Sequence, residues 1–142
     1  MREDSGAPGL AVADLRHGQT LHARGYGIAG PNGEPVTTQT VFQTGSITKS
    51  FVALVILQMA AEGKLGLDDP VVRHVPTFRT ASRSRSDRIT IDHLVTHRSG
   101  LTTLDGNSGN AEEPGLSGPA AAVAELAGVQ LFAEPGTTFQ YS

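Results

Sequence analysis

The chain has 142 residues, a length that holds one compact domain or part of a larger one. Apolar residues make up 38 % before the 17 glycines are added, so a core can form, and the absence of cysteine excludes a disulfide framework, a thiolate metal site and a cysteine nucleophile. The formal net charge of −3 argues against a dedicated nucleic-acid binder, although the middle is basic: residues 71–100 carry 6 Lys/Arg against 2 Asp/Glu, and residues 101–142 carry none against 5.

Met1-Arg2-Glu3-Asp4 puts acids where a secretory signal needs an apolar run, so the sequence as written reads as cytoplasmic; a periplasmic or secreted protein would need a start upstream. The longest apolar run, Phe51 to Leu57, is far too short for a membrane span. From Leu10 to Leu15 and Thr20 to Tyr26 two strand-like runs flank Arg16-His17-Gly18-Gln19, a hairpin with Gly18 supplying the positive φ of the turn. In the second run Leu21 and Ala23 alternate with His22 and Arg24, which predicts one apolar face in need of a cover. Val41-Phe42-Gln43 reads as a brief extended piece leading into Gly45.

From Ile47 to Glu62 the residues are good helix formers, apolar on nearly every side, with Gly63 at the place of a left-handed cap; this predicts a buried helix. Asp69 reads as the N-cap of a short helix from Pro70 to His74, and Arg79 to Arg88 as a polar linker. Thr90 caps a further helix, with Ile89 packing on Leu94 as a staple and Gly100 ending it. Residues 102–119 form a long glycine-rich loop containing Gly106, Gly109, Gly115 and Gly118, and Ala120 to Ala127 a small helix. The chain stops at Phe139-Gln140-Tyr141-Ser142 without turn or cap, as if cut.

Ser46-Ile47-Thr48-Lys49 stands where extended chain gives way to helix, so Ser46 is expected at the helix N-terminus and Lys49 one turn along on the same side. A serine hydroxyl is a poor nucleophile until a base takes its proton, and a lysine in an apolar site is such a base. The free N–H groups at the helix start suit the oxyanion of an acyl-transfer intermediate. The plain alternative, a capping serine with an unrelated lysine, fits the tetrad alone; the strand-to-helix position favours chemistry. A phosphate-binding loop fails because Thr48 stands where glycine is required, and a nucleophile elbow fails at Thr44 and Thr48.

Phe42-Gln43-Thr44-Gly45-Ser46-Ile47-Thr48-Lys49-Ser50, together with the stretches Glu62 to Val71, Ile89 to Leu101 and Glu134 to Ser142 in that order, resembles the serine β-lactamase and penicillin-binding protein superfamily, in its class C branch with related DD-peptidases and esterases. The resemblance spans nearly the whole chain. It implies an α/β (α+β) fold of β-lactamase/transpeptidase type: an antiparallel sheet flanked by helices, plus a helical subdomain. It also implies a serine hydrolase acting through an acyl-enzyme on β-lactam, D-alanyl peptide, amide or ester substrates. Ser46 is then the nucleophile and Lys49 the base, and Tyr141 falls on the tyrosine of the family's Tyr-x-Asn motif, whose asparagine would follow Ser142. The Lys-Thr-Gly or His-x-Gly strand of the family has no counterpart here. Residues 1–142 accordingly read as the N-terminal portion of one domain, with the hairpin at about 8–29 and the helical region at about 46–130, inactive on its own. A non-catalytic binding relative is the competing reading.

His93 and His97 fall four residues apart on one helix, but the zinc-peptidase pattern needs glutamate where Leu94 stands, and no third ligand has a telling spacing. In the resembling family these positions pack the helix, so both are expected to be hydrogen-bonded structural histidines, and neither a metal nor another cofactor is expected. Arg79, Arg83, Arg85 and Arg88 lack interleaved aromatic residues for base stacking and read as a solvated run, as does Glu112-Glu113. The expected partner is a small-molecule or peptide acyl substrate, with no nucleic acid and no membrane span.

Overall fold

The computed structural model describes residues 6–106 and 118–142. The chain divides into two compact units, Met1–Ile47 and Thr48–Ser142.

In the first unit β1 (Gly9–Arg16) and β2 (Gln19–Gly27) form the expected antiparallel hairpin. Its two-residue turn has φ of 49° at His17 and 77° at Gly18. Both central residues are left-handed, as a turn matching the strands' twist requires, although the sequence suggested only the glycine. The register runs Asp14↔His22 and then Leu15↔Thr20, which leaves Leu21 as the extra residue of a β-bulge. The simple alternation expected through Leu21 is therefore broken. Leu10, Val12, Leu15 and Leu21 are all exposed. Val36 is buried beside the hairpin's open end, its N–H donating to the Gly27 carbonyl at 2.9 Å. Val41 to Gln43 forms no strand, and Val41 is 93 % exposed.

In the second unit the principal helix, α1 (Ile47–Ala61), starts at the last residue of the first. It stops as the sequence predicts. Gly63 is left-handed, its N–H donates to the Ala60 carbonyl at 3.0 Å, and the Lys64 N–H donates to Met59 at 2.9 Å, a Schellman turn. The expected burial is not found: no α1 residue is buried, because Phe51, Val52, Leu54, Val55 and Leu57 radiate on several sides while only one stripe meets the core, through Ile56.

That core is small. Val71, Phe78, Ile89, Ile91, Leu101 and Leu131 form it, with Leu65, Leu67, Val72, Val123, Leu126 and Val129 packed around. The supporting elements are α2 (Val71–His74), α3 (Arg83–Ser86), α4 (Ile91–Val95), α5 (Thr103–Gly106) and α6 (Pro119–Glu125), which runs into a 3₁₀ turn, Leu126–Gly128. Chain segments 67–71 and 89–92 are laced together: the Val71 N–H donates to Ile89 (2.8 Å), Ile91 to Asp69 (3.1 Å) and Asp92 to Leu67 (2.8 Å). α5 occupies the start of the expected loop; Gly109, Glu112, Glu113 and Gly115 lie outside the described residues.

Three sequence expectations are corrected here. Asp69 is not the cap of α2, which starts after Pro70 without a side-chain cap. Its carboxylate instead accepts from the Gly66 N–H (2.8 Å), Arg73 (2.6 Å) and His74 (2.9 Å). The stretch Arg79 to Arg88 is no linker. Ser86 is fully buried, its hydroxyl donating to the Ser82 carbonyl (2.9 Å) and accepting the Thr80 N–H (2.8 Å), while Arg85 and Arg88 reach the Glu134 carboxylate at 2.6 and 2.5 Å. Lastly, α4 ends at Val95 and its left-handed stop is His97 rather than Gly100. Ile89 is buried as expected of a staple, yet Leu94 stays 36 % exposed.

Candidate active site

The three residues singled out from the sequence occupy two elements and a terminal strap. Ser46 lies in the turn before α1, just after Gly45 with φ of 52°, and the Ile47 N–H closes that turn on the Thr44 carbonyl at 3.1 Å. Ser46 belongs to the first unit and Lys49 to the second, so what relates them is the three-residue step along the chain. Lys49 lies in the first turn of α1 and is exposed rather than enclosed by apolar side chains. The apolar pocket expected to activate it is not built by these residues, because the helix's large side chains themselves face outward.

What Lys49 does meet is Tyr141. Its Nζ stands over the tyrosine ring, 5.1 Å from the centroid, a distance at which the ring's negative face attracts an ammonium. The two residues are 92 positions apart in the chain, so this approach is a product of the fold.

Tyr141 is brought there by the last dozen residues, which run along the 97–100 segment. Phe132 donates its N–H to Gly100 (2.8 Å), Gly136 to Arg98 (2.8 Å) and Gln140 to His97 (2.8 Å). Gly136 is required by close approach: a Cβ there would lie 2.7 Å from Nε2 of His93. The Tyr141 carbonyl accepts from the Thr103 hydroxyl, its ring stacks on that of His97 with centroids 4.7 Å apart, and the Ser142 N–H donates to His97 Nδ1 at 3.3 Å. Phe139 meets the same imidazole edge-on at 5.9 Å.

The two histidines therefore differ. His93 completes the start of α4: its N–H donates to the Thr90 hydroxyl at 3.2 Å, and its Nδ1 accepts the Thr90 N–H at 3.3 Å, a reciprocal cap in which histidine takes the place usual for glutamate. His97 stands at the other end, next to Tyr141. The sequence offered no sign of the Thr103 tether, and it gave His97 only as a residue packing its helix. In the structure His97 takes the left-handed helix-end position that usually falls to glycine.

Among the described residues no group of three or more His, Asp or Glu is placed to hold a metal ion, and no helix is long and apolar enough to cross a membrane. The Gly66 N–H first, then His74, with Arg73 adding to them, hold the Asp69 carboxyl below the ordinary aspartate range, against an opposing effect of desolvation.

A family model described as Beta-lactamase matches residues 1–142. Among curated relatives, Esterase EstB of Burkholderia gladioli is 37 % identical over 146 aligned positions, covering 94 % of this chain and 37 % of the esterase. Among solved structures, EstCE1, described as a hydrolase with promiscuous acyltransferase activity, superposes with a TM-score of 0.78 at 30 % identity, over 99 % of this chain and 40 % of that one. An octameric penicillin-binding protein homologue from Pyrococcus abyssi does so with a TM-score of 0.74 at 32 % identity, over 99 % and 33 %. The chain thus spans 33–40 % of the length of these relatives. At this similarity the fold is of β-lactamase/transpeptidase type, and the hairpin, helices and terminal strap correspond to its N-terminal part. The chain belongs to the Beta-lactamase family.

Proposed function

We propose that the chain carries the nucleophile half of a serine hydrolase that works through an acyl-enzyme, in a protein where it is continued by the parts its longer relatives possess. The observation that carries this reading is the approach of Lys49 to the Tyr141 ring across 92 residues of chain. Two proton-carrying side chains are gathered at the helix that Ser46 opens. In the reaction, the Ser46 hydroxyl oxygen attacks a substrate carbonyl and its proton passes to Lys49 with Tyr141. The same pair returns a proton to the leaving group as the tetrahedral intermediate collapses to an ester on Ser46. Water then attacks that ester and releases the acid. The start of α1, at the positive end of the helix dipole, favours an oxyanion.

The favoured substrate class is a simple carboxylic ester. The support is the esterase among the relatives and the hydrolase with acyltransferase activity among the structures. β-Lactams, D-alanyl peptides and amides use the same machinery. The test is turnover of p-nitrophenyl acetate by the full-length protein, which Ser46→Ala is expected to abolish. Turnover unchanged by Ser46→Ala would overturn the reading.

A further inference from the structure

We propose that His97 is a positioning residue that holds the Tyr141 phenol in register with Lys49, a role that rests on the serine hydrolase reading above. Four observations converge on it. The imidazole stacks on the Tyr141 ring at 4.7 Å with 29° between the planes, on a ring that also receives Lys49. The residues on either side of Tyr141 are bound to the same histidine, Gln140 through its N–H to the His97 carbonyl (2.8 Å) and Ser142 through its N–H to Nδ1 (3.3 Å). Phe139 closes on the imidazole edge. One side chain and its own carbonyl thus fix the tyrosine's ring and the backbone before and after it.

The fourth observation is conformational. His97 has φ of 56°, and the turn it makes is a Schellman motif: the His97 N–H donates to Leu94 (3.2 Å) and the Arg98 N–H to His93 (2.7 Å). Glycine adopts this conformation without penalty, and α1 uses glycine for the same turn at position 63. A histidine here is disfavoured by its own backbone, and its ring's contacts to Phe139, Tyr141 and Ser142 offset that cost. The bond to Ser142 also selects the tautomer of the neutral ring. A Nδ1 that accepts a hydrogen bond carries no proton, so the neutral ring holds its proton on Nε2.

The test uses the full-length protein with p-nitrophenyl acetate. His97→Gly removes the ring while suiting the backbone, so the melting temperature is expected to hold or rise while kcat falls by about 10- to 100-fold with KM little changed. His97→Asn, which tolerates positive φ and offers an amide oxygen near the place of Nδ1, is expected to recover part of that loss. Because the effect runs through Tyr141, adding His97→Gly to Tyr141→Phe should cost nothing further. Independent losses that multiply, with Tyr141→Phe itself impaired, would overturn the positioning role alone. A Tyr141→Phe protein as active as wild type would instead overturn the assignment of Tyr141, and the positioning would fall with it. A readout free of any variant is nuclear magnetic resonance of the unsubstituted protein. Ring-to-ring contacts between His97 and Tyr141 and an Nε2–H tautomer are expected. The Nδ1–H tautomer, or no ring contact, would contradict the proposal.

Discussion

α1 and α4 end in the same turn and otherwise have little in common. α1 is long, apolar on several sides and without a single buried residue; α4 has five residues, is capped at its start by a Thr90–His93 pair, and is laced by backbone hydrogen bonds to the segment before α2. At the shared turn α1 places Gly63 and α4 places His97. The long helix is held by the chain's intrinsic helical preference and one row of contacts, and it carries the proposed chemistry at its exposed start. The short helix is held by its surroundings, and it delivers the residue that steadies Tyr141. Length and apolarity therefore do not tell which helix the fold depends on; burial and hydrogen bonding do.

The sharpest way to break this contrast is to separate chemistry from stability on α1. Lys49→Ala should slow acylation of the full-length protein by roughly 10² to 10⁴, the contribution of a positioned base, with little change in melting temperature because the side chain is exposed. Stopped-flow acylation rates beside a thermal melt decide it; equal rates would remove Lys49 from the mechanism. Next comes a pair of truncations in the 142-residue chain. Ile89→Ala, at the centre of the core, should cost about 2–5 kcal/mol of unfolding free energy, whereas Leu54→Ala on α1, 54 % exposed, should cost under about 0.5. Equal shifts in urea midpoint would mean that α1 is buried after all.

Smaller effects sharpen the picture. Ser86→Ala should cost about 1–3 kcal/mol, since it leaves the buried Thr80 N–H without its acceptor. Gly63→Ala should cost about 1–2 kcal/mol by forcing a side chain into the left-handed region, and chemical denaturation reads both. The smallest effect is pH-dependent. The Asp69 carboxyl is held below its ordinary value in the folded chain, so on acidification the unfolded chain takes up that proton first. Its stabilising contribution is complete above the ordinary aspartate pKa of about 3.9 and is lost as the pH falls through the lower folded value. Asp69→Asn should therefore flatten the acid limb of a stability profile and leave its slope above pH 5 unchanged. An unaltered acid limb would count against the Gly66, His74 and Arg73 contacts.

Local signals gave the local structure. The hairpin, the span of α1, its Gly63 stop and the Thr90 cap all follow from residue preferences within a few positions. The expectations fail where several neighbouring groups compete for one side chain or where burial decides the conformation. The sequence suits Asp69 as a cap, but Gly66, Arg73 and His74 claim its oxygens; Arg79 to Arg88 reads as linker because burial of Ser86 depends on Thr80 and on packing that no serine-rich pattern announces. The candidate site divides the same way. Ser46 and Lys49 are legible as a spacing and Tyr141 only by resemblance, while the contact that joins Lys49 to Tyr141 requires the strap from Phe132 to Ser142 to lie along residues 97–100. His97 was visible as a histidine at helical spacing, and its left-handed backbone, the clue to its part, appears only once the helix is seen to end there.

The central claim, that Ser46 is the residue acylated, is tested most directly by treating the full-length protein with a fluorophosphonate ester and locating the adduct by peptide mass spectrometry. Attack by the Ser46 oxygen on phosphorus expels fluoride and leaves one phosphonyl group on that residue. The account predicts a single adduct on the peptide carrying Ser46, absent in Ser46→Ala. An adduct on another residue, or one that survives Ser46→Ala, would contradict it.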